Sequence, residues 1–429
     1  MLDILVKRRL LIFVTLLVLA VFATAKSLPA MLFNLSLAGN QGVGYSAVVS
    51  ALDEAGTYVD EQTEPGSTDR AEGYRYALRR IDAFMPVFFT EANPAAPTID
   101  RCPSNLCKYG FDNPDTAYVS IGPIGPGFTY KITGQLGTTP YNTFQLFQMG
   151  PEGFQTGGTL ELSEMQIDES GTFELWLGTE NTSGHVNFMQ MRPSGFGQLI
   201  IRQLHYDWET ESEMQLRVEA IPDETGSSPS TDILTMEMMD RRATGFALFI
   251  RSNMKTYREI IRDAPVNALP KAGAGVDDGA FPTNFTSTMR YEVSPGEAVL
   301  IEIPQMDLVY GNIQMGNLWG ESLDYVTRTT SFNRFQSHLD SDRVYRYVIA
   351  TEDPGVPNWL DATGHPAGGI FARWQSPAGE LAEPKTTRMT IDELRDALPA
   401  DHPLVTPAER IEQIQARVRG YNRRKNPVY

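Results

Sequence analysis

Phe128-Thr-Tyr-Lys-Ile132, Thr143-Phe-Gln-Leu-Phe147, Thr172-Phe-Glu-Leu-Trp-Leu177, Gln198-Leu-Ile-Ile-Arg202 and Met214-Gln-Leu-Arg-Val218 are short runs in which apolar and polar side chains largely alternate. An extended chain with that alternation has one dry and one wet face. Gly and Pro divide the runs, and their close spacing predicts a sandwich or barrel-like sheet between about Tyr118 and Ala220. A second β-rich block is expected from Met289 to about Trp374, with Ala298-Val-Leu-Ile-Glu-Ile303 and Val344-Tyr-Arg-Tyr-Val-Ile-Ala350 as its clearest strands.

Helical periodicity occupies the rest. Ser46 to Val59 reads as a helix, Glu64-Pro-Gly-Ser67 interrupts it, and Tyr74, Leu78, Ile81 and Met85 then recur at a spacing that predicts a core-facing stripe. Thr231 to about Ala264 repeats the pattern with Met236, Met239, Phe246, Phe249, Tyr257 and Ile261. In the tail, Thr390 with Glu393 and Thr406-Pro407 with Glu409 are capping signals. Ile411, Ile414 and Val418 then form a stripe expected to pack on the body or on a second copy in a homo-oligomer. No internal repeat of solenoid period is visible.

With 429 residues the chain can bury two or three cores, and 41% hydrophobic against 21% charged residues is the balance of a folded protein. A net charge of −17 repels phosphate backbones, so nucleic acid is excluded as an expected partner. Lys7, Arg8 and Arg9 precede an apolar run from Leu10 to Phe22 and then Ala23-Thr-Ala25, the order of an export signal. Cleaved signal and retained anchor are both compatible with its length; either puts the body outside the cytoplasm, periplasmic or held at the inner membrane. Cys102 and Cys107 are the two cysteines, and a small disulfide loop suits an oxidising compartment better than a thiolate metal site, for which further ligands are missing.

Three polar-aromatic clusters are candidates for chemistry. Asn113-Pro-Asp-Thr-Ala-Tyr118 reads as a turn entering a strand. In Arg202-Gln-Leu-His-Tyr-Asp-Trp-Glu209, alternation puts His205 and Asp207 on one face as a possible base and orienter, with Tyr206 and Trp208 on the other. The densest runs from Asp353 to Gly369, followed by Arg373 and Trp374. There Asp361 and His365 could act as acid and base or as two ligands of a metal, while Asn358, Trp359 and Arg373 could orient a polar or sugar-like substrate. No Walker loop, nucleophile elbow, zincin helix or Rossmann fingerprint is present.

At these motifs the sequence resembles the bacterial family carrying the domain of unknown function numbered twelve-fourteen, often paired with one numbered twelve fifty-four. The resemblance rests on Asn113 to Tyr118, His205-Tyr-Asp-Trp208, Asn317-Leu-Trp319 with Ser322-Leu-Asp-Tyr325, Asn333, and Asp353 to Asp361 with Gly364-His365, and covers about Tyr74 to Trp374. Phe188 follows Asn187 where similar proteins tend to have Trp. The resemblance implies a β-rich envelope protein with a jelly-roll-like C-terminal domain, and no established reaction.

The expected fold class is therefore α+β, mainly β: two β-sandwich or jelly-roll-like blocks with a helical segment between them, an N-terminal export helix and a C-terminal helical tail. The boundaries are 1–30 for the signal or anchor, 31–110 for a helical region, 111–225 for the first β-rich domain, 226–270 for a helical connector, 271–378 for the second, and 379–429 for the tail. The leading expectation for function is binding of a small molecule, a saccharide or an apolar metabolite, by Tyr206, Trp208, Trp319, Asn358, Trp359 and Arg373. The alternative is an envelope hydrolase, lyase or isomerase using Asp361 and His365, with or without a metal. Metal ligands and cofactor are not named by the sequence.

Overall fold

Among the described residues, the strands of the first half are β1 (Thr98–Arg101), β2 (Thr116–Ile124), β3 (Phe128–Gln135), β4 (Tyr141–Gly150), β5 (Gly153–Glu161), β6 (Thr172–Gly178), β7 (Phe188–Gln190), β8 (Phe196–Leu204) and β9 (Gln215–Pro222). They form one sheet in the order β1-β2-β8-β4-β5 and another in the order β7-β6-β3-β9. Their apolar faces bury Ile121, Ile132, Phe144, Leu175 and Ile201 between them, so the alternation in the sequence is the alternation of a sandwich. This is a computed structural model that describes residues 42–89, 93–101, 108–150, 153–223, 234–274, 281 and 283–425. The export segment, Cys102 and Cys107 lie outside the described residues.

The second half repeats the first. Its strands are β10 (Gly273–Ala274), β11 (Asn284–Glu292), β12 (Glu297–Pro304), β13 (Leu308–Gly316), β14 (Ser331–Asn333), β15 (Val344–Ala350), β16 (Trp359–Asp361), β17 (Ala367–Pro377) and β18 (Lys385–Thr390). Their sheets run β10-β11-β17-β13-β14 and β16-β15-β12-β18, the same order position by position. The parallel pairing of β6 with β7 recurs as β15 with β16. Even the pinning of that parallel strand is repeated: Asn187 accepts the Gln166 N–H at 2.8 Å and donates to the carbonyls of Gln166 and Glu174. Asn358 accepts the His338 N–H at 2.7 Å and donates to the carbonyls of His338 and Arg346.

The two sandwiches meet through corresponding strand ends. Tyr310, which matches Tyr141 in strand register, donates its hydroxyl to buried Asp115 just before β2, and Asn333 at the end of β14 donates to the same carboxylate at 3.0 Å. In the converse position Glu161 at the end of β5 accepts from Tyr141 at 2.8 Å, from Thr283 just before β11, and from Ser376. The duplicated fold thus pairs with itself across a pseudo-twofold seam, one carboxylate serving each side.

Three helices, α1 (Val43–Gln62), α2 (Thr68–Phe89) and α3 (Met236–Asp263), form a layer of their own around Phe88, Phe246, Ile250 and Trp319. The expected connector is therefore a packed element. Asp240 of α3 caps the start of α1 by accepting the N–H groups of Gly42 and Gly44 at 3.0 Å each. The inward face of α2 differs from the expected one. Leu78 is 64% exposed and Tyr74 and Met85 also face outward, while Tyr76, Ala77, Arg80 and Phe88 are buried. The reason is Arg80, whose guanidinium sits 4.3 Å from the ring centres of both Tyr76 and Tyr109; aromatic rings let a cation take the core-facing position.

The tail shows the same inversion. A short helix, α4 (Ile391–Ala397), covers the outer face of the β16-β15-β12-β18 sheet with Leu394. In α5 (Pro407–Lys425) the buried side chains are Arg410, Arg417 and Arg424, two turns apart, and Ile411 is 56% exposed. Arg410 bonds Asp353, Arg417 bonds the carbonyls of Tyr325 and Ser331, and Arg424 bonds the carbonyl of Pro114. The helix therefore buries its arginines most deeply, while of the expected stripe Ile414 and Val418 are half-buried and Ile411 is exposed.

Candidate functional site

Asp361 ends β16 and His365 follows two residues after the left-handed turn at Thr363. Although close in sequence, their side chains serve different partners. Asp361 accepts the Thr363 N–H at 2.7 Å and Arg328 Nη1 at 2.9 Å, which occupies both carboxylate oxygens. His365 turns toward the helical layer, where its Nε2 lies 3.2 Å from Glu72 Oε2 on α2, while Nδ1 faces the Ala362 carbonyl and the Thr363 hydroxyl. Glu72 raises the pKa of this imidazole above its usual range. Burial opposes the charge on Glu72, but His365 and Arg75 outweigh it and hold the carboxyl below its ordinary value. An imidazole–carboxylate ion pair thus exists at His365, with Glu72 rather than Asp361 as the partner.

Tyr291 adds a third group there. Its hydroxyl is buried and has no hydrogen-bond partner among the described residues, and a Cβ on Gly368 would come within 2.7 Å of it. Burial, with Glu72 and Asp361 nearby, pushes the phenol far above its usual pKa, so it stays protonated.

The expected ligand-binding residues do not converge as one set. Trp208 sits at the seam between the sandwiches, donating to Asp115 at 2.7 Å beneath Arg424 and Arg417, whose guanidinium carbons are 4.1 and 4.8 Å from its ring. Trp319 lies in the helical layer, donating to Asp69 at 2.8 Å under Arg258. Trp359 lies under α4 and α5, bonded to the Ala350 carbonyl at 3.1 Å. Tyr206 bonds the Val309 carbonyl and stacks on Tyr310 with ring centres 5.3 Å apart. Arg373 is buried against Gln314 and the Phe111 carbonyl, and Asn358 holds backbone, as described above. Each indole keeps its N–H satisfied and is buried in different surroundings, so the three tryptophans do not line one pocket, whereas Tyr206, Trp208 and Arg373 gather around the Asp115–Tyr310 network.

His205 and Asp207 also separate. His205 Nδ1 faces the Asp115 carbonyl at 3.2 Å, whereas Asp207 caps the following turn through Glu209 N–H and the Thr210 hydroxyl. Burial, then Arg424, pushes the His205 pKa well below the usual value and keeps the ring neutral.

Three features carried no sequence signal. Glu72 lies in a helix nearly 300 residues before His365, and nothing in either local pattern links them. A groove of about 430 Å³ between α1 and α3 is lined by Tyr58 with Asp53, Glu54, Glu61, Arg251 and Lys255. Among the described residues, His338, Asp340 and His402 form a group with the donor set of a metal site. Pro399 and Pro403 mark the loop around His402, but helix faces and the long-range meeting of segments leave no such mark.

No family model matches the chain, and no curated protein does. Among solved structures, the chain is similar to an uncharacterised protein from Burkholderia cenocepacia at 25% identity, over 82% of this chain and 97% of that one, with a TM-score of 0.73. The VPA0106 protein from Vibrio parahaemolyticus aligns with 80% of this chain and all of its own at 11% identity and a TM-score of 0.40. The first of these has the same fold, so the chain is an α+β, mainly β protein of two sandwiches with a structural counterpart that spans both.

Proposed function

We propose that this is a membrane-held protein of the cell envelope that binds a small polar molecule, most simply a saccharide, in the groove between α1 and α3. The observation that carries this reading is the groove itself, whose volume of about 430 Å³ is in the range of ligand sites. Tyr58 offers a ring face, and Glu54, held ionised by Arg251 with its pKa lowered to about 2, offers acceptors for hydroxyl groups. An apolar metabolite has less support: the void lined by Ile303, Met306, Tyr345 and Trp374 measures about 30 Å³, enough for water only.

The membrane part of the reading rests on the apolar run Leu10 to Phe22 and on Tyr45, Val49, Met85, Val87 and Met236, exposed at the end of the helical layer where residue 42 enters α1. Among the described residues no helix is long and apolar enough to cross a membrane. The resemblance to the family of domain twelve-fourteen, its jelly-roll-like second domain included, belongs to the same reading.

Saturation-transfer NMR with a panel of envelope mono- and oligosaccharides tests the groove. Binding that disappears in Tyr58→Ala supports it; silence across the panel, or binding unchanged in that variant, overturns it. The alternative, an envelope hydrolase, lyase or isomerase, is favoured by one observation, the His365–Glu72 pair beside the unpartnered Tyr291 hydroxyl. Turnover of chromogenic ester and glycoside substrates that is abolished by His365→Gln would replace binding with catalysis.

A further inference from the structure

His338 and Asp340 stand in the turn before β15, and His402 in the loop that joins α4 to α5. Each brings one ligand-type atom to within 4.8 Å of the others. Asp340 Oδ1 lies 3.2 Å from His338 Nε2 and 2.7 Å from His402 Nδ1. The side chains of Asp340 and His402 are each 2% exposed, and that of His338 is 36% exposed. His402 Nε2 is buried with no partner among the described residues, and the ring meets Asp340 through its other nitrogen.

The duplicated fold supplies an internal comparison. Asp168 holds the place of Asp340 in the first sandwich: each donates its N–H to the carbonyl four residues on, Thr172 or Val344. Asp168 is exposed and turns its carboxylate on its own loop, accepting the N–H groups of Ser170 and Thr172. In the second sandwich Asp342 takes over the turn by accepting from Val344, and the carboxylate of Asp340 is directed inward. Gln166 is replaced by His338, and the tail delivers His402 from outside the repeat. A new donor set has been built onto a position whose ordinary work is done by another residue.

The surroundings also fix that set. Asn358 clamps the backbone of His338 on both sides, and Arg346 Nη1 holds Asp340 Oδ2 at 2.7 Å, leaving Oδ1 for the imidazoles. Two imidazole nitrogens and one carboxylate oxygen are the donors that first-row divalent ions take, with bonds of about 2.0–2.2 Å that leave ligand atoms roughly 3–3.5 Å apart in a tetrahedron. The His338–Asp340 separation already fits at 3.2 Å, the His402–Asp340 pair at 2.7 Å has to open slightly, and the two imidazoles, within 4.8 Å of each other, have to close on the ion. We propose that His338, Asp340 and His402 form a binding site for a divalent first-row transition ion, Zn²⁺ above all, with an open position on the solvent side of His338. Such an ion fastens the C-terminal tail to the second sandwich.

The test uses the full-length chain in mild detergent, stripped with chelator, dialysed, and titrated with Zn²⁺ by calorimetry and with Co²⁺ by visible absorbance. One ion per chain is expected, bound at least about 100-fold more weakly by His338→Gln and by His402→Gln. His338→Gln is the safer variant, because glutamine already occupies the matching place at Gln166. The Co²⁺ spectrum is expected to show ligand-field bands without a thiolate charge-transfer band. A folded chain that takes up no stoichiometric Zn²⁺, variants that bind as the parent does, or a thiolate band that moves the ion to the cysteines would each overturn the proposal.

Discussion

His365 of the second sandwich and Glu72 of α2 face each other at 3.2 Å across the boundary between the β body and the helical layer. Because the pKa of His365 is raised on folding, its stabilising contribution is complete below its unfolded value and is lost as pH rises through the folded one. Glu72 is lowered, so its contribution is complete above its unfolded value and is lost as pH falls through the folded one. The two windows overlap at roughly pH 4.5–6.5. The difference in melting temperature between the parent chain and His365→Gln should peak near pH 5.5 and shrink at both pH 3.5 and pH 9; a difference independent of pH would show that the pair contributes by packing alone.

Asp115 is buried and accepts from Trp208, Tyr310 and Asn333, groups drawn from both sandwiches. Asp115→Ala strands the Trp208 indole N–H and takes an acceptor from Tyr310 and Asn333, which keep Asn113 and the His205 and Tyr206 carbonyls, so a loss of about 2–3 kcal/mol in urea unfolding is expected. Asp115→Asn keeps an acceptor and should cost less. If Asp115→Ala cost under about 1 kcal/mol, water would have to satisfy the seam.

The two asparagine clamps should behave as twins. Asn187→Ala and Asn358→Ala each release one backbone N–H and two carbonyls, at an expected cost of about 2–3 kcal/mol each. Lying in separate sandwiches, the losses should add in the double variant. A large effect in one and none in the other would show that the repeated geometry does not carry repeated energy.

Arg417 stacks on Trp208 and bonds two carbonyls, and a Cβ on Gly420 would already touch the Trp208 side chain at 2.6 Å. Arg417→Ala should loosen α5 and shift Trp208 emission to longer wavelength, with early proteolysis after about residue 400. An unchanged emission spectrum and digestion pattern would mean that Arg410 and Arg424 suffice.

On α2, Leu78 points outward and Phe88 is buried against Phe246. Leu78→Ser should change stability by less than about 0.5 kcal/mol, and Phe88→Ala should cost about 3 kcal/mol or more. The reverse order would restore the face expected from sequence.

The sequence alone determined the element types, because alternation and helical spacing report local geometry directly: strands such as Thr172-Phe-Glu-Leu-Trp-Leu177, both tail caps, and the helix around Phe246 stand where the pattern puts them. It read Asp353 to Gly369 as one long loop because of its Gly and Pro residues, but Trp359–Asp361 pairs in parallel with β15 as a strand and β17 starts at Ala367, so Asp361 ends a strand and only His365 stands in a turn. Helix faces were decided by tertiary structure, because Arg80, Arg410, Arg417 and Arg424 count as surface in any periodicity argument and become core only where rings, carbonyls or carboxylates meet them. The duplication was equally hidden, since sheet order survives when Asn187, Arg202 and Asp168 are among the few identities left to match Asn358, Arg373 and Asp340. The pairing of Glu72 with His365, and of His402 with Asp340, follows from chain paths that bring distant segments together, and no local pattern encodes a path.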